Sequence, residues 1–96
     1  MIHVIEVSGE SCANCFTLMP ILKELCEKTG LPLTHIEANE KTAERVQALR
    51  IERVPTVIVM QGEKEIARCT GFQPYEILEV WLSAMIEKAN TASGEE

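Results

Sequence analysis

Cys12 and Cys15 stand three residues apart in the segment Cys12-Ala13-Asn14-Cys15. At that spacing on the first turn of a helix, two thiols approach closely enough to close a small disulfide ring, and the first has free backbone amides as neighbours. The positive end of a helix favours a thiolate over a thiol, so Cys12 is the expected nucleophile. Cys15, one turn further in and less exposed, is the expected resolving thiol, which attacks the mixed disulfide and releases the reduced partner. A lone C-x-x-C also serves as half of a zinc site or as two packed thiols. Zinc needs two further ligands, however, and Cys26 and Cys69 are single and far apart with no H-x-x-x-H segment to join them. No metal and no cofactor are therefore expected. Cys26 reads as a small packed hydrophobe, and Cys69 as the same with more exposure, a regulatory or dimer-forming thiol being its alternative. His3 and His35 are single histidines on strands and read as core or surface polar residues.

The elements that must position this pair follow from apolar periodicity. Residues 2–7 are nearly all apolar and β-branched, as in a strand buried on both faces, and Ser8-Gly9-Glu10-Ser11 breaks the run. From Ala13 to Thr29, Leu18, Ile21, Leu22, Leu25 and Cys26 fall at helical spacing, with Pro20 inside the helix and Gly30 placed to end it. A second strand is expected over 31–38 and a short helix over 41–49. Thr56-Val57-Ile58-Val59-Met60 is a third strand beginning at Pro55, and a turn at Gln61-Gly62-Glu63-Lys64 leads to a half-exposed fourth over 65–69. Pro74 opens a last helix carrying Tyr75, Ile77, Leu78, Trp81, Leu82, Met85 and Ile86. The order is βαβαββα, an α/β fold with a four-stranded mixed sheet and helices on both faces. Residues 1–89 form the expected domain, and 90–96, with nothing to bury, an expected flexible tail.

The 96 residues suffice for one core. A net charge of −6 argues against non-specific binding to nucleic acid or anionic membranes. The N-terminus lacks a basic start and a long apolar stretch, so a cytoplasmic location is expected. Partners are then proteins or small molecules, met by a monomer.

These residues together resemble the thioredoxin superfamily, in the form of a thioredoxin trimmed of its first strand and helix. In that family an acidic residue lies six positions before the first cysteine, a proline lies eight after it, and a cis-proline in an Ile/Val-Pro-Thr step opens the next sheet strand. Glu6, Pro20 and Val54-Pro55-Thr56 occupy those places. Pro20-Ile21-Leu22-Lys23-Glu24-Leu25 resembles the family's helix, and Gly62 and Gly71 match its hairpin glycine and the glycine ending its last strand. The resemblance covers residues 2 to 88. It implies a thiol-disulfide oxidoreductase acting on protein disulfides and recharged by a reductase or thiol donor. Substrate contacts are implied at Val54, Pro55, Ala13, Asn14 and Gly71, the backbone of Val54 pairing with an extended segment. Glu6, beneath the helix start, is the expected acceptor of the Cys15 proton, its alternative being a surface glutamate near a strand end. The sequence departs from the family at Ser11, which replaces an aromatic residue, and at Ala13-Asn14, which replace Gly-Pro. The buried lysine that partners the acid has no counterpart, Leu33 or His35 standing nearby. A glutaredoxin-like reductase is the nearest rival, although Thr70-Gly71-Phe72-Gln73 supplies one glycine of its expected pair and no acid. A redox-inactive binding module, or a dimer clasping a metal through Cys12 and Cys15, is the alternative from a different class.

Overall fold

The computed structural model describes residues 1–94. Its elements run β1 (Ile2–Gly9), α1 (Ala13–Thr29), β2 (Leu33–Ala38), α2 (Ala43–Ala48), β3 (Thr56–Gln61), β4 (Lys64–Thr70) and α3 (Tyr75–Gly94). The strands form one sheet in the order β2-β1-β3-β4. β1 is parallel to β2 and antiparallel to β3, and β4 is antiparallel to β3. Among the described residues no helix is long and apolar enough to cross a membrane.

Alternation along β1 divides the core between two faces. Val4 joins Leu18, Leu22, Leu25 and Cys26 of α1 and Leu78 and Leu82 of α3 on one side. Ile5 and Val7 join Ile36 and Ile58 on the other, where Val46 and Leu49 of α2 pack. The five leucines of the first cluster are at most 1% exposed, and burying each contributes about 1.5–3 kcal/mol. Glu6 falls on the same face as Val4, under α1.

Element boundaries shift where side chains compete for the backbone. β1 continues through Ser8 and Gly9, which pair with Glu37 and Ala38. β2 starts at Leu33, two residues later than expected, because Gly30 and Leu31 close α1. Gly30 is left-handed at φ 73, its N–H donates to Glu27 O at 3.3 Å, and Leu31 N–H donates to Cys26 O at 2.9 Å. α2 is shorter than the expected 41–49 because Asn39 Oδ1 accepts from Lys41 N at 2.8 Å and from Thr42 N at 3.2 Å, making a turn of these residues. Arg50 ends this helix with φ 56. Arg68 of β4 reaches across to donate to Leu49 O at 2.8 Å and Arg50 O at 3.3 Å, satisfying carbonyls the helix leaves open. The β3–β4 ladder shifts register between Val59 and Met60, a bulge that leaves Ile66 unpaired between Glu65 and Ala67.

α3 runs past Ala89, where the sequence reading ends the domain, through Gly94. Extending a formed helix adds one hydrogen bond per residue fixed, and no proline interrupts Asn90 to Ser93. Residues 95 and 96, the rest of the expected tail, lie outside the described residues.

Candidate active site

Cys12 is the N-cap of α1, with φ −97 and ψ 101. Its Sγ accepts from the backbone N–H of Cys15 at 3.2 Å, and its carbonyl accepts from Phe16 N at 3.1 Å. The sulfur thus occupies the place where a serine or aspartate oxygen usually sits, with its lone pairs facing the positive helix end. No acid stands in the first turn to compete for that position. Ser11, just before it, is held in the left-handed region at φ 56, which costs a non-glycine residue about 1–2 kcal/mol. Such strain sits where the chain must aim the next side chain.

Cys12 and Cys15 are joined as a disulfide, their Cα atoms 5.2 Å apart. Cys12 is half-buried, whereas Cys15 is 3% exposed. One cysteine is therefore open to solvent and the other is sheltered by the fold. The remaining thiols differ in kind. Burial pushes the Cys26 thiol up to about 11, and it also raises that of Cys69, which is half-buried on β4. Neither has the helix end that favours a thiolate.

Glu6 is fully buried. Ser8, 5% exposed, donates its hydroxyl to Glu6 Oε2 at 2.5 Å, and Nδ1 of the His35 imidazole is hydrogen-bonded with Oε1 at 2.7 Å. Of the two neighbours considered from sequence, His35 is the residue that partners the acid. The parallel register sets Glu6 opposite His35 and Ser8 opposite Glu37, so all four share the α1 face. A histidine immediately before a buried isoleucine, on a strand paired with β1, is the signal that the sequence offered, but only the register identifies its partner.

A cavity of about 790 Å³ opens beside the dithiol. Residues 8–13 and Cys15 form one side, Phe16, Met19, Pro20 and Lys23 of α1 another, and His35 and Glu37 of β2 the third. Phe16 is 84% exposed at its rim. Of the expected substrate-contacting residues, Ala13 lines this cavity and Asn14, Val54, Pro55 and Gly71 do not. Those last three cluster separately. The Val54–Pro55 peptide bond is cis, and the Pro55 carbonyl accepts from Gly71 N at 2.8 Å. Gly9, at the end of β1, lies directly against Val54, where a Cβ would come within 2.9 Å of Val54 Cγ2. Sequence reading passed over Gly9, because its reason is a close approach rather than a turn. Among the described residues, no group of three or more His, Cys, Asp or Glu side chains is arranged to hold a metal ion.

A mixed sheet with α1 and α3 on one face and α2 on the other, a disulfide at the start of α1 and a cis-proline at the start of β3 define the thioredoxin-like class of fold. The thioredoxin family model matches residues 1–84, and the chain belongs to that family. It is 27% identical to a thioredoxin of Alicyclobacillus acidocaldarius over 77 residues, which span 79% of this chain and 73% of the relative. Thioredoxin H2-1 of Oryza sativa is 28% identical over 75 residues, spanning 77% of this chain and 54% of its own length. Among solved structures, thioredoxin f2 in complex with ferredoxin:thioredoxin reductase superposes with a TM-score of 0.78 at 26% identity, covering 86% of this chain and 76% of that one. Spinach chloroplast thioredoxin f gives a TM-score of 0.78 at 20% identity, covering 88% and 75%.

Proposed function

We propose that the protein is a dithiol-disulfide oxidoreductase that reduces protein disulfides through Cys12 and Cys15. The observation that carries this reading is the asymmetry of the pair: an N-capping, half-buried Cys12 ahead of a buried Cys15 on the next turn. In the reduced protein the Cys12 thiolate attacks one sulfur of the substrate disulfide, forming a mixed disulfide and expelling the first substrate thiolate. Cys15 loses its proton to Glu6 and attacks Cys12 Sγ. The bond to the substrate breaks, the second substrate thiolate departs, and the Cys12–Cys15 disulfide remains. The substrate has gained two electrons and the protein has lost them.

A second element of the reading, carried by the family resemblance, is that the Val54 backbone pairs with an extended stretch beside the attacked disulfide, flanked by Ala13, Asn14 and Gly71. Recharging requires a dithiol donor or a reductase. The relative solved with ferredoxin:thioredoxin reductase makes a reductase of that general kind the natural candidate. A reducing compartment, the cytoplasm, is where such a cycle runs.

The test is reduction of insulin by dithiothreitol, followed by turbidity. The wild-type protein accelerates it, Cys12→Ser abolishes the acceleration, and Cys15→Ser accumulates a mixed disulfide visible by mass spectrometry, since attack survives while resolution does not. An undiminished rate in Cys12→Ser would overturn the proposal.

A further inference from the structure

α1 turns Leu18, Leu22 and Leu25 to the core and carries a second apolar stripe elsewhere on its surface. Phe16, Met19 and Pro20 follow Cys12 at helical spacing and wall the cavity beside it as far as Lys23. Phe16 is 84% exposed and joins neither core cluster, so the fold leaves its apolar surface in water. Beneath this wall the polar groups are already satisfied. Ser8 donates to Glu6, Nδ1 of His35 is hydrogen-bonded with it, and among the described residues no buried side-chain nitrogen or oxygen lacks a partner. An occupant therefore has no hydrogen bond to supply there, and what the cavity leaves unmet is apolar surface. Its volume of about 790 Å³ falls within the roughly 300–1,000 Å³ of ligand pockets. At the rim stand the exposed carboxylates of Glu10 and Glu37 and the ammonium of Lys23, none of them in an ion pair among the described residues.

This cavity and the cis step lie on opposite sides of Cys12. β1 leads into the dithiol, β2 flanks β1 on the side of His35 and Glu37, and β3, which follows Pro55, flanks it on the other. We infer that the cavity is a second substrate subsite, which takes an apolar side chain two residues from the attacked cysteine of a protein disulfide, with Phe16 as the residue that sets this preference. The inference rests on the dithiol reading above. Phe16 lies four residues from Cys12, about 6 Å along the helix axis, and two residues of extended chain span about that distance. In an extended segment the side chains at i and i+2 point the same way, so a cysteine turned toward Cys12 turns the residue two positions away toward Phe16. Two carboxylates against one ammonium give the rim a local excess of negative charge, which favours a basic residue beside that side chain over an acidic one.

The probes are cysteine peptides joined to thionitrobenzoate through a disulfide, with symmetrical flanks so that either chain direction presents the same side chains. They are Lys-Leu-Gly-Cys-Gly-Leu-Lys, its form with glycine for both leucines, and its form with glutamate for both lysines. The Cys12 thiolate of the reduced protein attacks the peptide sulfur and expels thionitrobenzoate. Cys15 then attacks Cys12 Sγ, frees the peptide thiolate and leaves the Cys12–Cys15 disulfide, so two electrons pass from the protein to the probe. The second-order rate of thionitrobenzoate release is expected about tenfold higher for the leucine peptide than for the glycine peptide, the worth of one partly buried apolar side chain. Taken as a ratio within each protein, the comparison cancels any general change in thiol reactivity. In Phe16→Ser, at an exposed position that neither core cluster uses, the ratio should fall to about twofold or less. The glutamate peptide should react several-fold more slowly than the lysine peptide, and this difference should narrow when Glu10→Gln and Glu37→Gln are combined. Equal rates for the leucine and glycine peptides, or an undiminished ratio in Phe16→Ser, would overturn the inference. An undiminished charge effect in the double variant would overturn the role of the rim, leaving the overall charge of the chain as its cause. Release undiminished in Cys12→Ser would instead refute the dithiol reading.

Discussion

Gly9→Ala tests the least visible contact of the site. A methyl group there would stand 2.9 Å from Val54 Cγ2, with Val54 Cβ at 3.7 Å and Cγ1 at 3.8 Å, so the whole isopropyl head faces the added atom. Ordinary contact begins at 3.4 Å, and the gap must open by 3.4 − 2.9 = 0.5 Å. Valine is stiff at χ1, and Gly9 is hydrogen-bonded into β1, so the yielding part is the backbone at Val54, next to the cis bond. Overpacking of this kind costs about 1–3 kcal/mol, which for a domain of this size lowers Tm by roughly 5–15 °C. If Val54 pairs with the substrate, the same displacement raises KM for insulin. It leaves the reaction of Cys12 with a small disulfide reagent unchanged, because α1 does not move. Thermal unfolding followed by circular dichroism, together with insulin and small-reagent kinetics on one preparation, separates these effects. A variant with unchanged Tm would refute the close approach, and one with lowered Tm but unchanged KM would remove Val54 from the substrate site.

Two further outcomes follow from the other cysteines and from Arg68. Burial raises the Cys26 thiol to about 11, above the unfolded value of about 8.5, so its contribution to stability is present below that value and is lost as pH rises toward 11. Denaturation of the wild type should show an alkaline decline that Cys26→Ala lacks, and iodoacetamide at about pH 8, applied to the reduced protein, should mark Cys12 and spare Cys26 by mass spectrometry; equal labelling would refute the contrast. Arg68→Met leaves the Leu49 and Arg50 carbonyls without their donor and should cost about 1–2 kcal/mol in urea denaturation at neutral pH. Arg68 also holds the Glu65 carboxyl below the usual range, a contribution present above the ordinary glutamate value and lost in acid, so the gap between variant and wild type should narrow below about pH 4.

The order of elements was legible because each has a local cause. Leu18, Leu22 and Leu25 recur at helical spacing, Gly30 tolerates the left-handed closure of α1, and Thr56 to Met60 prefer extended backbone after a proline. The dithiol was legible for the same reason, since spacing and the adjacent helix start lie within four residues. Boundaries were less so: whether Thr42 begins a helix or caps a turn depends on Asn39, and whether α3 stops at Ala89 depends on propagation beyond that buried residue.

What the sequence by itself determined is therefore the chemistry that neighbours in the chain can define: the C-x-x-C pair, the helix that presents it, and the resemblance that links Glu6, Pro20 and Pro55 to it. Tertiary structure decided which distant residues complete the site. His35 was one unremarkable strand histidine until the parallel register of β1 and β2 set it against a buried Glu6, 29 residues away. Gly9 was part of a strand-breaking run until the chain folded Val54 onto it. Both assignments depend on how segments distant in the chain align, and a shift of register by one residue would turn His35 to the opposite face.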